Sequence, residues 1–193
     1  MNKLAHALVL TGLVGVPAFA LADEPASPHT LTANVGLTSN YVFRGISQTG
    51  GEPAIQGGFD YTHASGLYLG TWGSNVSWLT GFQGYQSGSM ELDLYGGYRN
   101  TIGPVSYDVG MIRYMYPGSK SGGMSSALPG AFTSEIYGSL GWKWFTVKYS
   151  HYLSDSVFGV GPNTNNSYYL DLSGSLPVYD TGLTLGAHWG TFN

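Results

Sequence analysis

The sequence predicts an all-β chain: an antiparallel up-and-down transmembrane β-barrel with about nine strands present. Three observations lead there. Between Leu31 and Thr191 hydrophobicity alternates residue by residue in about nine short segments, the period of a strand with one oily and one wet face. The connections between these segments alternate long and short, as they do when loops lie on one side of a membrane and tight turns on the other. Only 9% of residues are charged, with 15 Tyr, 5 Trp, 8 Phe and 30 Gly, whereas a water-soluble domain carries about 25% charge.

Composition also removes whole classes of function. The chain has no Cys, which excludes a disulfide framework and a thiolate metal site. A net charge of −4 offers no basic footprint for nucleic acid. The glycines are scattered through strands and turns rather than opening a helix, so no phosphate-binding loop is present. His and carboxylate spacing suggests no metal cluster, and no cofactor is expected.

The first 22 residues read as a signal peptide: Lys3, an apolar stretch from Ala5 to Val16, then Ala18, Ala20 and Ala22. The apolar core is shorter than the ~20 residues a spanning helix needs, so cleavage after Ala22 is expected. The chain then divides into a leader, 1–22, and a barrel domain, 23–193.

The elements follow in order. Leu31 to Phe43 alternates, with Leu31, Ala33, Val35, Leu37, Tyr41 and Phe43 on the lipid side. A loop from Arg44 to Glu52 precedes Ala54 to Tyr61, which turns Ile55, Phe59 and Tyr61 outward and Gln56 and Asp60 inward. His63 to Gly66 is a short turn. Leu67 to Val76 is a strand whose facing Gly70, Trp72 and Gly73 blur, and a longer loop, Ser77 to Ser89, follows it. Met90 to Arg99 sets Leu92, Leu94 and Tyr98 against Glu91, Asp93, Tyr95 and Arg99. Asn100 to Pro104 turns the chain into Val105 to Tyr116, where Val105, Tyr107, Val109 and Met111 oppose Ser106, Asp108 and Gly110. Arg113 breaks that parity and is expected at the membrane rim or after a bulge.

Pro117 to Phe132, dense in Gly and Ser, is the longest loop and the one expected to move most. Thr133 to Gly141 and Trp144 to Tyr152 form a tight hairpin about Trp142-Lys143, with Glu135, Tyr137 and Ser139 on one inner face and Thr146, Lys148 and Ser150 on the other. After a loop from Leu153 to Asn166, the strand Ser167 to Ser173 turns Tyr169, Asp171 and Ser173 inward. The turn Leu176 to Thr181 leads to Gly182 to Thr191, with Leu183, Leu185, Ala187 and Trp189 outward. Tyr41, Phe43, Tyr61, Tyr98, Trp142 and Trp189 fall near strand ends, where an interfacial girdle belongs.

Short turns lie on the periplasmic side, so the mature N-terminus is expected there and a ninth strand ends outside the cell. Single-chain bacterial barrels have even strand numbers, so an odd count points to a chain lacking its final strands.

Facing assigns Arg44, Asp60, Glu91, Asp93, Arg99, Asp108, Glu135, Lys148 and Asp171 to the lumen or its mouths. Turning Arg or Lys toward mid-bilayer costs roughly 2–4 kcal/mol, so inward placement follows from stability alone. The functional expectation is a polar channel with an acidic bias favouring cations; the competing one is a lumen plugged by Arg–carboxylate pairs. Arg44 reads either as a guanidinium at a selectivity constriction or as a strand-end Arg paired with Glu91 or Asp93, with Gly45 allowing the turn.

Ser39-Asn40-Tyr41-Val42-Phe43-Arg44-Gly45-Ile46-Ser47-Gln48-Thr49 and Pro53-Ala54-Ile55-Gln56-Gly57-Gly58-Phe59-Asp60-Tyr61 resemble the N-terminal signature of the TorF-type porin family, also known as Gcw_chp. Gly70-Thr71-Trp72-Gly73-Ser74-Asn75-Val76, Glu91-Leu92-Asp93-Leu94-Tyr95-Gly96-Gly97-Tyr98, Tyr107-Asp108-Val109-Gly110 and Tyr168-Tyr169-Leu170-Asp171-Leu172 extend the likeness across nearly the whole mature chain. The resemblance implies an outer-membrane, porin-like channel whose partners are membrane lipid and small polar solutes or ions. It also implies further strands ending in an aromatic residue.

Three rivals remain open. A lipid-modifying barrel enzyme needs a nucleophile, a base and a carboxylate; His188 has inward parity, whereas His63 lies in a turn and His151 on the lipid side. A structural or adhesion barrel would use Pro117 to Phe132 as its contact surface. A soluble β-sandwich would need a charged outer face, and here that face is aliphatic and aromatic throughout.

Overall fold

The computed structural model describes residues 27–120, 129–161, 164 and 166–193. The leader and residues 121–128, at the centre of the longest loop, lie outside the described residues, and with them the expectations about cleavage and about that loop's motion.

Nine long strands form one antiparallel sheet: β1 (His29–Thr38), β4 (Ala54–His63), β5 (Leu67–Asn75), β7 (Met90–Ile102), β8 (Val105–Met115), β10 (Thr133–Trp142), β11 (Phe145–Tyr152), β12 (Tyr168–Val178) and β13 (Leu183–Phe192). Each pairs with the next, so the order in space is the order in sequence, the meander expected of an up-and-down wall. Among the described residues β1 pairs only with β4, and β13 only with β12. Two short pairs stand apart from the wall: β2 (Val42–Phe43) with β3 (Ile46–Ser47), and β6 (Tyr85–Ser87) with β9 (Ser119–Lys120). One short helix, α1 (Trp78–Phe82), precedes β6.

Cross-strand partners share a face, so register fixes which side chains look inward. Tyr68 pairs with Thr62 and Gly97, Gly97 with Gly110, Gly110 with Tyr137, Tyr137 with Ser150, Ser150 with Tyr169, and Tyr169 with Phe192. This file of inner residues runs across eight strands. The Tyr68 hydroxyl on β5 reaches Asp108 on β8 at 2.6 Å and the Tyr137 hydroxyl on β10. Residues 41–44 touch Trp72 on β5, Tyr114 on β8 and Phe192 on β13 at once, which places those strands around a common space and makes the sheet concave on this face. The wall therefore curls around the interior that the alternation predicts.

The outer face keeps its oil exposed. Leu31, Val35, Leu37, Ile55, Phe59, Leu69, Leu140, Phe145, Leu185 and Trp189 are all exposed, and no second sheet covers them among the described residues. That arrangement excludes the sandwich. No helix among the described residues is long and apolar enough to cross a membrane.

Most strand facings match the expectation, and the differences have local causes. β7 runs to Ile102 and β12 to Val178, because backbone pairing continues past the point where apolar alternation fades. The tight hairpin turns at Lys143-Trp144 rather than Trp142-Lys143, with Lys143 at φ 53°. No bulge interrupts the ladders around Arg113; it faces outward at the long-loop end and donates to Ser134 Oγ at 2.6 Å. The blurred strand is settled by register: Tyr68, Gly70 and Trp72 look inward, Leu67 and Leu69 outward.

The first strand carries the main correction. It ends at Thr38, and residues 42–47 fold back as hairpin β2–β3. Tyr41 and Phe43, expected in the lipid girdle, instead pack inside the long-loop mouth, Tyr41 edge-on to Trp72 and Phe43 against Tyr114 and Phe158. Their spacing continues the parity of β1, so alternation alone cannot show that the chain has left the wall.

Candidate functional site: a latched, charged interior

Arg44 is the centre of the long-loop mouth. With Gly45 it forms the two-residue turn of hairpin β2–β3, both at positive φ, 49° and 82°. The conformation suits Gly45 and is uncommon for an arginine. What holds it is the destination of the side chain. Arg44 Nη2 donates to Glu135 Oε1 at 3.0 Å and lies 2.8 Å from Oε2, where the contact is ionic, while Nη1 donates to the Tyr152 hydroxyl. The guanidinium stacks 4.4 Å from the Tyr169 ring and 4.8 Å from that of Phe43. Burial is the largest influence and works against its charge, but Glu135, Tyr114 and Tyr152 together outweigh it, so its pKa stands above the ordinary arginine value.

The sequence predicted an Arg–carboxylate pair here but named the wrong partners. Glu91 and Asp93 lie nearer in sequence, yet Arg44 crosses the interior to Glu135 on β10. Glu91 is taken by Tyr41, whose hydroxyl donates to it at 2.9 Å. Burial, followed by the charge of Glu91, raises the Tyr41 phenol well above its usual range, so it remains a donor. Asp93 Oδ1 is buried without a hydrogen-bond partner among the described residues.

Loop residues close the space above this pair. Val76, Leu79, Tyr85, Tyr114, Tyr116 and Ala131 form a buried cluster, with Tyr41, Phe43, Trp78, Ile112 and Phe158 packed on it. Thr49 locks the hairpin's return: its hydroxyl accepts from Tyr41 N at 3.2 Å and donates to the Glu52 carbonyl at 2.6 Å. Neither α1 nor this cluster is legible from the residues alone, because short loop segments lack the length that makes a period visible.

Below the latch the interior is a belt of tyrosines and charges. Tyr95 donates to Asp60 and Tyr68 to Asp108, each at 2.6 Å. Arg99 lies 4.5 Å from the Tyr68 ring and Lys148 Nζ 4.0 Å from that of Tyr137. Three of these rings lie across glycines: a Cβ at Gly70, Gly97 or Gly110 would collide with Tyr95, Tyr68 or Tyr137 respectively. Glycine at these inner positions makes room for the cross-strand tyrosine, a pairing the sequence carries but does not reveal until register is known.

Nearer the short turns, His188 Nδ1 sits 2.7 Å from Asp171 Oδ2, and Ser173 Oγ donates to the other carboxylate oxygen. This histidine is therefore oriented by a carboxylate, as a catalytic base would be. Its serine neighbour, however, is turned to Asp171 rather than to the imidazole.

All the nominated charges except Arg44 sit on strands and have inward register: Asp60, Glu91, Asp93, Arg99, Asp108, Glu135, Lys148 and Asp171. Within the nine long strands, Arg113 is the one charged residue that faces outward. Residues 22–193 match the sequence model of a family described as "Bacterial protein of unknown function (Gcw_chp)". The chain belongs to the Gcw_chp family. That membership bears out the resemblance read from the motifs, although the family's description assigns no function. Neither the curated proteins nor the solved structures include a match to this Gcw_chp chain.

Proposed function

We propose that this Gcw_chp chain is an outer-membrane protein that crosses the bilayer with its strands and lets small polar solutes or ions diffuse through its interior. The supporting observation is the partition of the nine strands. Eight of their charged residues face the concave side, whereas the convex side exposes aliphatic and aromatic groups. A charge held against mid-bilayer lipid costs roughly 2–4 kcal/mol, and the same charge in a wet lumen costs little. With Arg44 included, the interior carries six carboxylates against three cations, which favours cation passage. In this reading the chain performs no chemistry and needs no cofactor; its partners are outer-membrane lipid and the diffusing solutes.

One observation favours a second reading, a plugged structural barrel. The aromatic cluster and the Arg44–Glu135 pair fill the long-loop mouth. Planar-bilayer recording of the full-length protein separates the two. Conductance steps with a cation-selective reversal potential support the channel. Silence from both the wild type and a variant lacking residues 42–47, with both shown to be refolded, leaves the plugged reading.

A further inference from the structure

The short-turn end of the wall holds a side-chain pair that the proposed diffusion path does not use. β1 begins at His29 and β4 ends at His63, and the register sets the two directly opposite one another. Both share the outward parity of Leu31 and Phe59, so they sit at the rim of the sheet, beyond its oily band. Their ring centres are 5.1 Å apart, with the planes inclined at 51°. His29 is exposed and His63 half-buried, so solvent reaches the pair.

The ring nitrogens indicate what the pair can hold. The Tyr61 hydroxyl lies 2.7 Å from Nδ1 of His29, and the Ser65 hydroxyl lies 2.8 Å from Nδ1 of His63, which the Ser65 N–H also approaches at 3.1 Å. Nε2 of each ring has no hydrogen-bond partner among the described residues. Metal-bound histidines are arranged in this way, one nitrogen ligating while an outer partner fixes the other. Two imidazoles on one dication, each at about 2.0–2.1 Å, bring their ring centres to roughly 5 Å, close to the separation here. Among the described residues no Asp, Glu or further His joins them to make a group of three. Oxygen-seeking Mg²⁺ and Ca²⁺ therefore find no carboxylate at the pair, whereas imidazole suits zinc, copper and nickel.

We infer that His29 and His63 form a surface site for a transition-metal dication of the Zn²⁺ class, held through the two Nε2 atoms with water in its remaining positions. Capture puts the ring protons on Nδ1, where the hydroxyl oxygens of Tyr61 and Ser65 accept them and Ser65 gives up its N–H contact. Two protein ligands make a weaker site than the three or four of a resident zinc, so the metal comes and goes with its concentration. Its physical effect is to tie β1 to β4, its one strand partner among the described residues. The site stands whether or not the lumen conducts.

The test titrates Zn²⁺ into the refolded full chain in detergent, made without a histidine tag, by equilibrium dialysis against protein-free micelles. The expected result is saturable uptake of one Zn²⁺ per chain that an excess of Mg²⁺ does not displace. His29→Asn and His63→Asn should each weaken uptake at least about tenfold, since losing only the outer partner of a ligand costs that much. His151→Asn, on another part of the wall, should leave it unchanged. Zn²⁺ should also raise the urea midpoint of the wild type and not that of His29→Asn. Refolding of each variant is checked by heat-dependent gel mobility. Absence of saturable uptake, uptake of equal strength in either rim variant, or displacement by Mg²⁺ overturns the inference.

Discussion

The two ends of the interior are built on opposite principles. At the long-loop end Glu91, Asp93, Thr133, Glu135, Ser150 and Tyr152 are buried, covered by a returning hairpin and an aromatic cluster. Toward the short turns, residues of the same inward register, such as Thr32, Asn34, Arg99, Ser106, Thr146 and His188, are exposed. Both ends use polar side chains on the concave face. At one end the charges are dehydrated, so each needs a partner supplied by the fold; at the other, water supplies it. A polar inner face thus specifies a lumen, and the loops decide whether that lumen is wet.

The strongest way to break this contrast is Arg44→Ala. It leaves Glu135 buried without its counter-charge, and the expected loss is about 3–5 kcal/mol, read from the urea midpoint of the refolded protein in detergent. A loss under about 1 kcal/mol would place the pair in effectively hydrated surroundings and erase the distinction. The double change Arg44→Met with Glu135→Leu should recover most of the loss, since it removes both charges.

Thr49→Val tests the dehydrated end without altering charge. Three groups lose the Thr49 hydroxyl, Asn40 among them, and the expected cost is about 1–3 kcal/mol. A glycine pair sharpens the comparison along the axis. Gly110→Ala pushes against the Tyr137 ring and should cost about 1–3 kcal/mol. Gly186→Ala on β13 meets only one backbone oxygen at ordinary contact distance, so its effect should stay within about 0.5 kcal/mol. The open end should be equally tolerant of losing a charge contact: His188→Ala removes an exposed link to Asp171 and should cost no more than about 0.5 kcal/mol. Unfolding midpoints of these three variants, measured alongside wild type, rank the regions directly.

How much could be read in advance differs between the wall and the mouth. Leu92, Leu94 and Tyr98 against Glu91, Asp93, Tyr95 and Arg99 is a period-two pattern that admits one facing once one side is oily, and register confirms it. Arg44 was legible as an unusual residue and as half of an ion pair, but its partner lies 91 positions away on a strand with several competing carboxylates nearby. Tyr41 and Phe43 were misplaced because two residues of continued parity look the same in a straight strand and in a chain that has just turned inward. The tyrosine–glycine contacts, Tyr137 with Gly110 among them, depend on strand neighbours and were invisible for the same reason.

Local pattern was enough to set the long strands, their facing and the inward turn of most of their charges, because alternation is local and the cost of meeting an apolar or aqueous medium acts on each residue separately. Long-range packing alone brings Arg44 to Glu135 and gathers loop and strand-end residues into a core at one mouth. Those outcomes depend on how far the sheet curls and which distant side chains its curvature brings within reach, and neither is a property of any one segment.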